Sequence, residues 1–147
     1  DGCELIREKF PKAEIAGLDI SNVAIKKARD RNKNGHYFVA DVLTDSLPRM
    51  YDYITIIETI EHFDNPLFVV DKLLLYAKKS IIISVPYSQE FTGKIHKTGE
   101  HRFAFNEDTF DKSRYNCRVA KITDFVKVTG SKCIIYEIFP EQRKQSS

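Results

Sequence analysis

The chain has no apolar run that approaches the roughly 20 consecutive residues of a membrane span, and no basic-then-apolar pattern at its start that would read as a signal peptide. A membrane-embedded protein is not expected, and a cytoplasmic one is. Cysteine is scarce: Cys3, Cys117 and Cys133 are odd in number, scattered, and never in a C-x-x-C spacing. That excludes a disulfide frame and a zinc knuckle and reads as reduced thiols. Charge of one sign is also missing. The 23 Lys and Arg face 21 Asp and Glu for a formal net charge of +2, a balance that does not announce a nucleic-acid binder. No internal repeat, low-complexity tract or linker is present. An initiator Met is absent, and Asp1-Gly2 opens directly into a helical pattern. Such a pair reads as the tail of a phosphate- or cofactor-approach turn that follows a strand. The chain is therefore expected to begin inside a domain whose first strand precedes it.

What is present is enough for one globular domain with one core: 147 residues, 42% apolar and 30% charged. An amphipathic helix is predicted over about 2–10, with Leu5, Ile6 and Phe10 on one side, ending before Pro11. A strand is predicted over about 14–19, and Ser21 is placed as N-cap of the helix that follows. Asn34-Gly35 marks a turn before a strand at about 36–40. A third apolar strand covers 53–57. Asp64-Asn65-Pro66 starts a helix over about 66–77, with Leu67, Val70, Leu73 and Leu74 on its buried stripe. The unbroken apolar run Ile81-Ile82-Ile83 within 80–86 suits a parallel strand covered on both faces. Residues 87–105 form a long loop, and a short helix is expected from Asn106 or Asp108 to about 114. Strands at about 117–127 and 132–139 flank Gly130-Ser131 as an antiparallel hairpin. Residues 141–147 read as a frayed tail beyond a domain spanning 1–140.

Three of the predicted strands end in an acid: Asp19 after Ala16-Gly17-Leu18, Asp41 after Val39-Ala40, and Glu58 after Ile56-Ile57. A carboxylate at the C-terminal tip of a buried strand is where an open α/β sheet holds a nucleoside ribose. A bidentate carboxylate suits a ribose diol, and an exocyclic amine is a donor that needs an acceptor. Asp19 and Asp41 supply these two functions. Each also has a plainer reading, as a helix cap or a turn residue. Ile20 and Val42 fit apolar contact with an adenine, or plain core packing.

Alternating strand–helix units followed by a terminal hairpin resemble the class I S-adenosylmethionine-dependent methyltransferases over nearly the whole chain. Asp1-Gly2-Cys3 looks like the end of that family's glycine-rich first motif. Gly17-Leu18-Asp19-Ile20-Ser21 resembles the second and Ala40-Asp41-Val42 the third. Tyr51-Asp52-Tyr53-Ile54 with Glu58-Thr59-Ile60-Glu61-His62 resembles the motif beside the methyl group. The resemblance implies a Rossmann-like, mostly parallel sheet with helices on both faces and a C-terminal antiparallel hairpin, its first strand lying before residue 1. It implies S-adenosylmethionine as cofactor, with Asp1, Gly2, Asp19, Ile20, Asp41, Val42 and Glu58 around it.

A second constellation is Glu58-x-x-Glu61-His62 with His101 downstream. In a helical turn, positions 58, 61 and 62 share one face. Two carboxylates and two imidazoles could ligate a divalent metal, Mg or Mn by the oxygen ligands. That set resembles the metal-dependent small-RNA 3′-end 2′-O-methyltransferases, although Phe103-Ala104-Phe105-Asn106 departs from their pattern. Without a metal, Glu58 borders the methyl-transfer pocket and His62 or His101 serves as base, imidazole titrating in the right range. In the plainest reading Glu61-His62 only caps the helix near Pro66. The loop 87–105, with Tyr87, Phe91, His96, His101, Arg102 and Phe103, is the expected substrate lid, His96 being incidental. His36 is expected at a strand entrance with no catalytic task, and the Lys/Arg residues of 26–33 as a solvated helix face. The expected function is methyl transfer to a small-molecule acceptor. The alternatives are metal-dependent 2′-O-methylation of an RNA end and a non-catalytic binding module of the same fold.

Overall fold

The computed structural model describes residues 2–33, 35–95, 99–124 and 132–141. Asp1, Asn34, His96, the Gly130-Ser131 turn and the tail after Glu141 lie outside the described residues. Two compact units form, residues 1–47 and 48–147.

The first unit runs α1 (Gly2–Lys9), β1 (Ala16–Asp19), α2 (Asn22–Arg31) and β2 (His36–Val39). The two strands pair in parallel, from Ala16 opposite His36 to Asp19 opposite Val39. A parallel pair needs a crossover connection, and α2 provides it. Ser21 caps α2 as expected, its hydroxyl accepting the Ala24 amide at 3.2 Å. Ile25 of α2 and Tyr37 of β2 are buried. Gly17 lets the Tyr37 ring lie against β1: a β-carbon there would come within 2.9 Å of the ring and 3.0 Å of the Cys3 sulfur. The apolar stripe foreseen on α1 is not buried, since Leu5 and Phe10 are both exposed. His36 opens β2 with its Nε2 3.5 Å from Glu14 Oε1.

The second unit holds β3 (Tyr51–Ile57), a 3-10 turn (Ile60–His62), α3 (Pro66–Leu74), β4 (Ala77–Pro86), β5 (Gly93–Lys94), β6 (Phe103–Ala104), β7 (Asn116–Asp124) and β8 (Lys132–Phe139). Its main sheet has the order β3-β4-β8-β7. β3 and β4 are parallel, joined through α3, and β8 is antiparallel to both β4 and β7. Alternate residues of β4 and β8 meet on one face: Ile81 opposite Ile138, Ile83 opposite Tyr136, Val85 opposite Ile134. All six are fully buried, as is Phe105, with Val69, Val70 and Leu73 of α3 also in the core. Phe110 stands edge-on to Tyr136 at 4.8 Å between ring centres.

Some expectations shift. The stripe of α3 is Pro66, Val69, Val70 and Leu73, with Leu67 and Leu74 only half-buried. α3 stops at Leu74, because Ala77 already pairs with Tyr51 as the first residue of β4. No helix forms over 106–114. The Asn106 side chain accepts the Asp108 amide at 2.9 Å and Asp111 accepts the Ser113 amide at 2.8 Å. These local bonds compete with a helical ladder and leave a chain of turns. The loop 87–105 contains a short antiparallel ladder, β5 with β6. It starts at Gly93, whose φ of +127° suits glycine.

The N-cap of α3 is Asn65, whose side-chain oxygen accepts the Phe68 amide at 3.3 Å. Glu61 and His62 are therefore not its cap. Replacing Asn65 with Ala should lower stability by about 1 kcal/mol, read as a drop in thermal midpoint, whereas His62→Ala should leave the midpoint within experimental scatter.

Candidate functional site

In the first unit the two acids sit at the same end of the β1–β2 pair. The Ala40 amide donates to the Asp19 carbonyl at 3.1 Å, which brings the residue before Asp41 against Asp19. Each carboxylate is steadied by the backbone that follows it. Ser21 N donates to Asp19 Oδ1 at 2.7 Å, and Leu43 N donates to Asp41 Oδ1 at 2.8 Å. Both acids thus make the tight Asx-type turn that the plainer reading foresaw. In each, the second carboxylate oxygen has no partner among the described residues. Asp41 is further braced by its amide donating to Asp45 Oδ2 at 2.9 Å. Ile20, next to Asp19, is 69% exposed and so is not a core residue. Val42 is half-buried, and Gly2 is exposed. Asp1 lies outside the described residues.

In the second unit Glu58 ends β3 in a left-handed backbone conformation, φ +45°, the one positive φ at a residue other than glycine among the described residues. Such a conformation costs of order 1–3 kcal/mol and persists only where its surroundings fix it. Ser84 fixes it twice. Its carbonyl accepts the Glu58 amide at 2.8 Å, and its hydroxyl donates to Glu58 Oε1 at 3.1 Å. Desolvation holds the Glu58 carboxyl above its usual range, the Ser84 bond partly opposing it. Glu61 adds a smaller upward push, and His101 and His62 smaller downward ones. The Ser84 role was not foreseen, though a lone polar residue inside Ile81-Ile82-Ile83-Ser84-Val85 was its visible signal.

The helical face expected to join 58, 61 and 62 does not form, because the 3-10 turn covers only Ile60–His62. What the chain brings together is Glu61, His62 and His101, with one ligand atom of each within 4.8 Å of the others. Glu58 stands outside that set. Glu61 is 2% exposed, and its Oε2 is buried with no partner among the described residues. A buried carboxylate oxygen without a donor is costly unless a cation or a proton meets it. The His62 Nε2 is 3.8 Å from Glu61 Oε1, and the His62 and His101 rings meet edge-on at 5.2 Å between centres. The His62 Nδ1 lies 2.9 Å from the Glu100 carbonyl. A carbonyl only accepts, so Nδ1 carries the proton and the neutral ring presents a lone pair at Nε2. That tautomer suits a metal ligand or a base, and a carbonyl behind a histidine is the usual support for either. The donor set fits a divalent metal, with Glu61, His62 and His101 as the residues that would hold it.

Of the lid residues, Arg102 pairs with Asp64 at 3.0 Å, Tyr87 donates to Glu107 at 2.9 Å, Phe103 packs on Phe105 at 5.0 Å, and Phe91 is exposed. His96 lies outside the described residues.

A parallel strand–helix–strand unit and a second parallel pair joined through a helix define an α/β protein. Comparison with known proteins makes the class specific. A family model described as a methyltransferase domain matches residues 2–113, across both units. The chain is 31% identical over 104 residues to the demethylmenaquinone methyltransferase of Thermotoga maritima, a match covering 65% of this chain and 44% of that protein. Among solved structures it resembles the plantazolicin methyltransferase BpumL with SAH, at TM-score 0.67 and 17% identity, over 92% of this chain and 71% of that one. It also resembles the N-methyltransferase NodS of Bradyrhizobium japonicum with S-adenosyl-l-homocysteine, at TM-score 0.63 and 12% identity, over 86% and 66%. Those two likenesses carry the Rossmann-like fold. The chain belongs to the methyltransferase domain family, and it spans under half the length of its curated relative. Among the described residues no helix is long and apolar enough to cross a membrane.

Substituting Glu58 with Gly should relieve the left-handed strain and lose the Ser84 hydroxyl bond. Stability should stay equal or rise by up to about 1 kcal/mol, read from the thermal midpoint. A substantial loss of stability in that variant would show that Glu58 is kept for folding.

Proposed function

We propose that this chain is an S-adenosylmethionine-dependent methyltransferase domain, its two units forming one functional domain, acting on a small-molecule acceptor. The observation that carries the reading is the pair Asp19 and Asp41 at the same end of the β1–β2 pair, each with one carboxylate oxygen tied to backbone. Asp19 takes the ribose hydroxyls and Asp41 the adenine amino group, with Ile20 and Val42 as apolar contacts to the base. Membership of the family supports this, as does the SAH present in the related structures. The name of the Thermotoga maritima relative points to a small organic acceptor.

The chemistry of transfer asks little covalent work of the protein, because the sulfonium is its own leaving group. Alignment and exclusion of water are what the residues contribute. The Nε2 lone pair of His62 takes the proton of an oxygen acceptor, with His101 beside it. Glu58, its carboxyl raised by desolvation, lines the same place as an acceptor of hydrogen bonds.

A second reading is favoured by the unpartnered oxygen of Glu61. A divalent metal, Mg or Mn, held by Glu61, His62 and His101 would acidify a hydroxyl acceptor when bound. This reading goes with 2′-O-methylation of an RNA 3′ end. A binding module without catalysis is the remaining alternative.

Calorimetry with S-adenosylhomocysteine on the full-length protein tests the first reading. Asp19→Asn and Asp41→Asn should each weaken binding by about tenfold to a hundredfold, the worth of a charge-assisted hydrogen bond, with circular dichroism unchanged. Unaltered affinity in both variants would remove the cofactor assignment. Binding without turnover on any acceptor would leave the non-catalytic module.

A further inference from the structure

Residues 100–102 are fastened to residues 61–64 on both sides of His101. On one side the Glu100 carbonyl accepts from the His62 ring at 2.9 Å. On the other the Arg102 amide donates to the Glu61 carbonyl at 2.8 Å. The Arg102 guanidinium, through Nη1, reaches Asp64 Oδ1 at 3.0 Å and Oδ2 at 3.3 Å. Behind Arg102, its own carbonyl accepts the Ile95 amide at 2.8 Å, which ties the segment to the β5–β6 ladder. Asp64 is three residues past Glu61 and immediately precedes the cap of α3, so it stands on a fixed base.

We infer that Arg102 and Asp64 are positioning residues: their ion pair latches the 100–102 segment onto the 3-10 turn and so delivers His101 to Glu61 and His62. Glu61 and His62 are neighbours on one rigid turn, so their mutual placement is local. His101 comes from 39 residues beyond His62, so its placement depends on contacts made by its own segment. Two of the three ties are backbone or ring bonds that form only when the segment is already docked. Downstream the chain is held by buried Ala104 and Phe105, and the Arg102–Asp64 pair is the charged contact that fixes the stretch between that anchor and the 3-10 turn. Its members are 57% and 61% exposed, so the pair is screened by salt and contributes little to global stability. An exposed pair of this kind is a weak staple for a fold and a suitable catch for a segment that must dock.

The inference rests on the metal reading only in what the assembled cluster binds. The test uses full-length protein, with Co²⁺ alone as the metal probe and the nuclear Overhauser effect between the His62 and His101 ring protons as the readout of docking. Wild-type protein should show the ring-to-ring effect without metal. Arg102→Ala and Asp64→Ala should each lose it and bind Co²⁺ about tenfold more weakly, as supporting-residue changes do at metal sites, with the thermal midpoint nearly unmoved. The exchanged pair Asp64→Arg with Arg102→Asp should restore both. High salt should weaken Co²⁺ binding in wild type and not in Arg102→Ala. Persistence of the ring-to-ring effect in both alanine variants would overturn the latch. Its loss in those variants with no recovery in the exchanged pair would also overturn it, since a general packing defect would then be the cause. Failure of wild-type protein to take up Co²⁺ would instead remove the metal reading, and the ring-to-ring effect would still decide the latch.

Discussion

The bond from the Glu58 amide to the Ser84 carbonyl is the constraint on which the second unit's site depends. The parallel ladder of β3 with β4 runs from Tyr51 opposite Ala77 to Ile57 opposite Ser84, and this bond is its last rung. One residue beyond the ladder, the chain must leave the sheet and enter the 3-10 turn. Glu58 absorbs that change of direction in a left-handed conformation that glycine would adopt more cheaply. β4 can impose it because β4 is itself fixed on both sides, pairing with β3 and with β8. The strain is thus stored at a carboxylate, and the residue that enforces it also holds that carboxylate by its hydroxyl. A backbone outlier braced in this way is an indication of function read from an observation.

From that point the placement of Glu61 follows. Ile60, fully buried, anchors the 3-10 turn, and Glu61 goes inward beside it. Its carboxylate has one oxygen near His62 and one with no donor among the described residues. An apolar side chain would fill the same space without the desolvation cost. Retaining an acid there makes physical sense when a cation or a proton completes it. The tautomer of His62, set by the Glu100 carbonyl, turns a lone pair toward the same place.

Much of this was legible in the sequence, and the parts that were not share a cause. Ser21 as a cap, Asn65-Pro66 as a helix start, and the order of strands and helices up to β4 are written in short-range signals, and they hold. The turns made by Asp19 and Asp41 after β1 and β2 were readable because a strand end and a turn residue fall close together. The helix expected over 106–114 fails on equally local grounds, since Asn106 and Asp111 bond their own backbone. The α3 stripe moved from Leu67 and Leu74 to Val69, since the facing surface of β4 decides which side is buried. The separation of Glu58 from Glu61 and His62 could not be read, because spacing alone does not reveal a positive φ. Ser84 and the ties at residues 100 and 102 act across 26 and 38 residues of chain, and no local pattern encodes such partners.

The two units solve the problem of a ligand-ready carboxylate in opposite ways, and the contrast bears on what each can bind. Asp19 is exposed and Asp41 half-buried, each with a single oxygen tied by the amide two residues on. Water competes for their free oxygens, so they gain by recognising several neutral donors in a fixed pattern, as a ribose diol and an amino group offer. Glu61 is shut away from water, and its Oε2 has no partner among the described residues. In that setting a neutral hydroxyl would leave its charge largely uncompensated, whereas a positive charge would be drawn strongly at low dielectric. On the proposed reading, the exposed acids select a ligand by its shape and donors, and the buried acid selects it by charge.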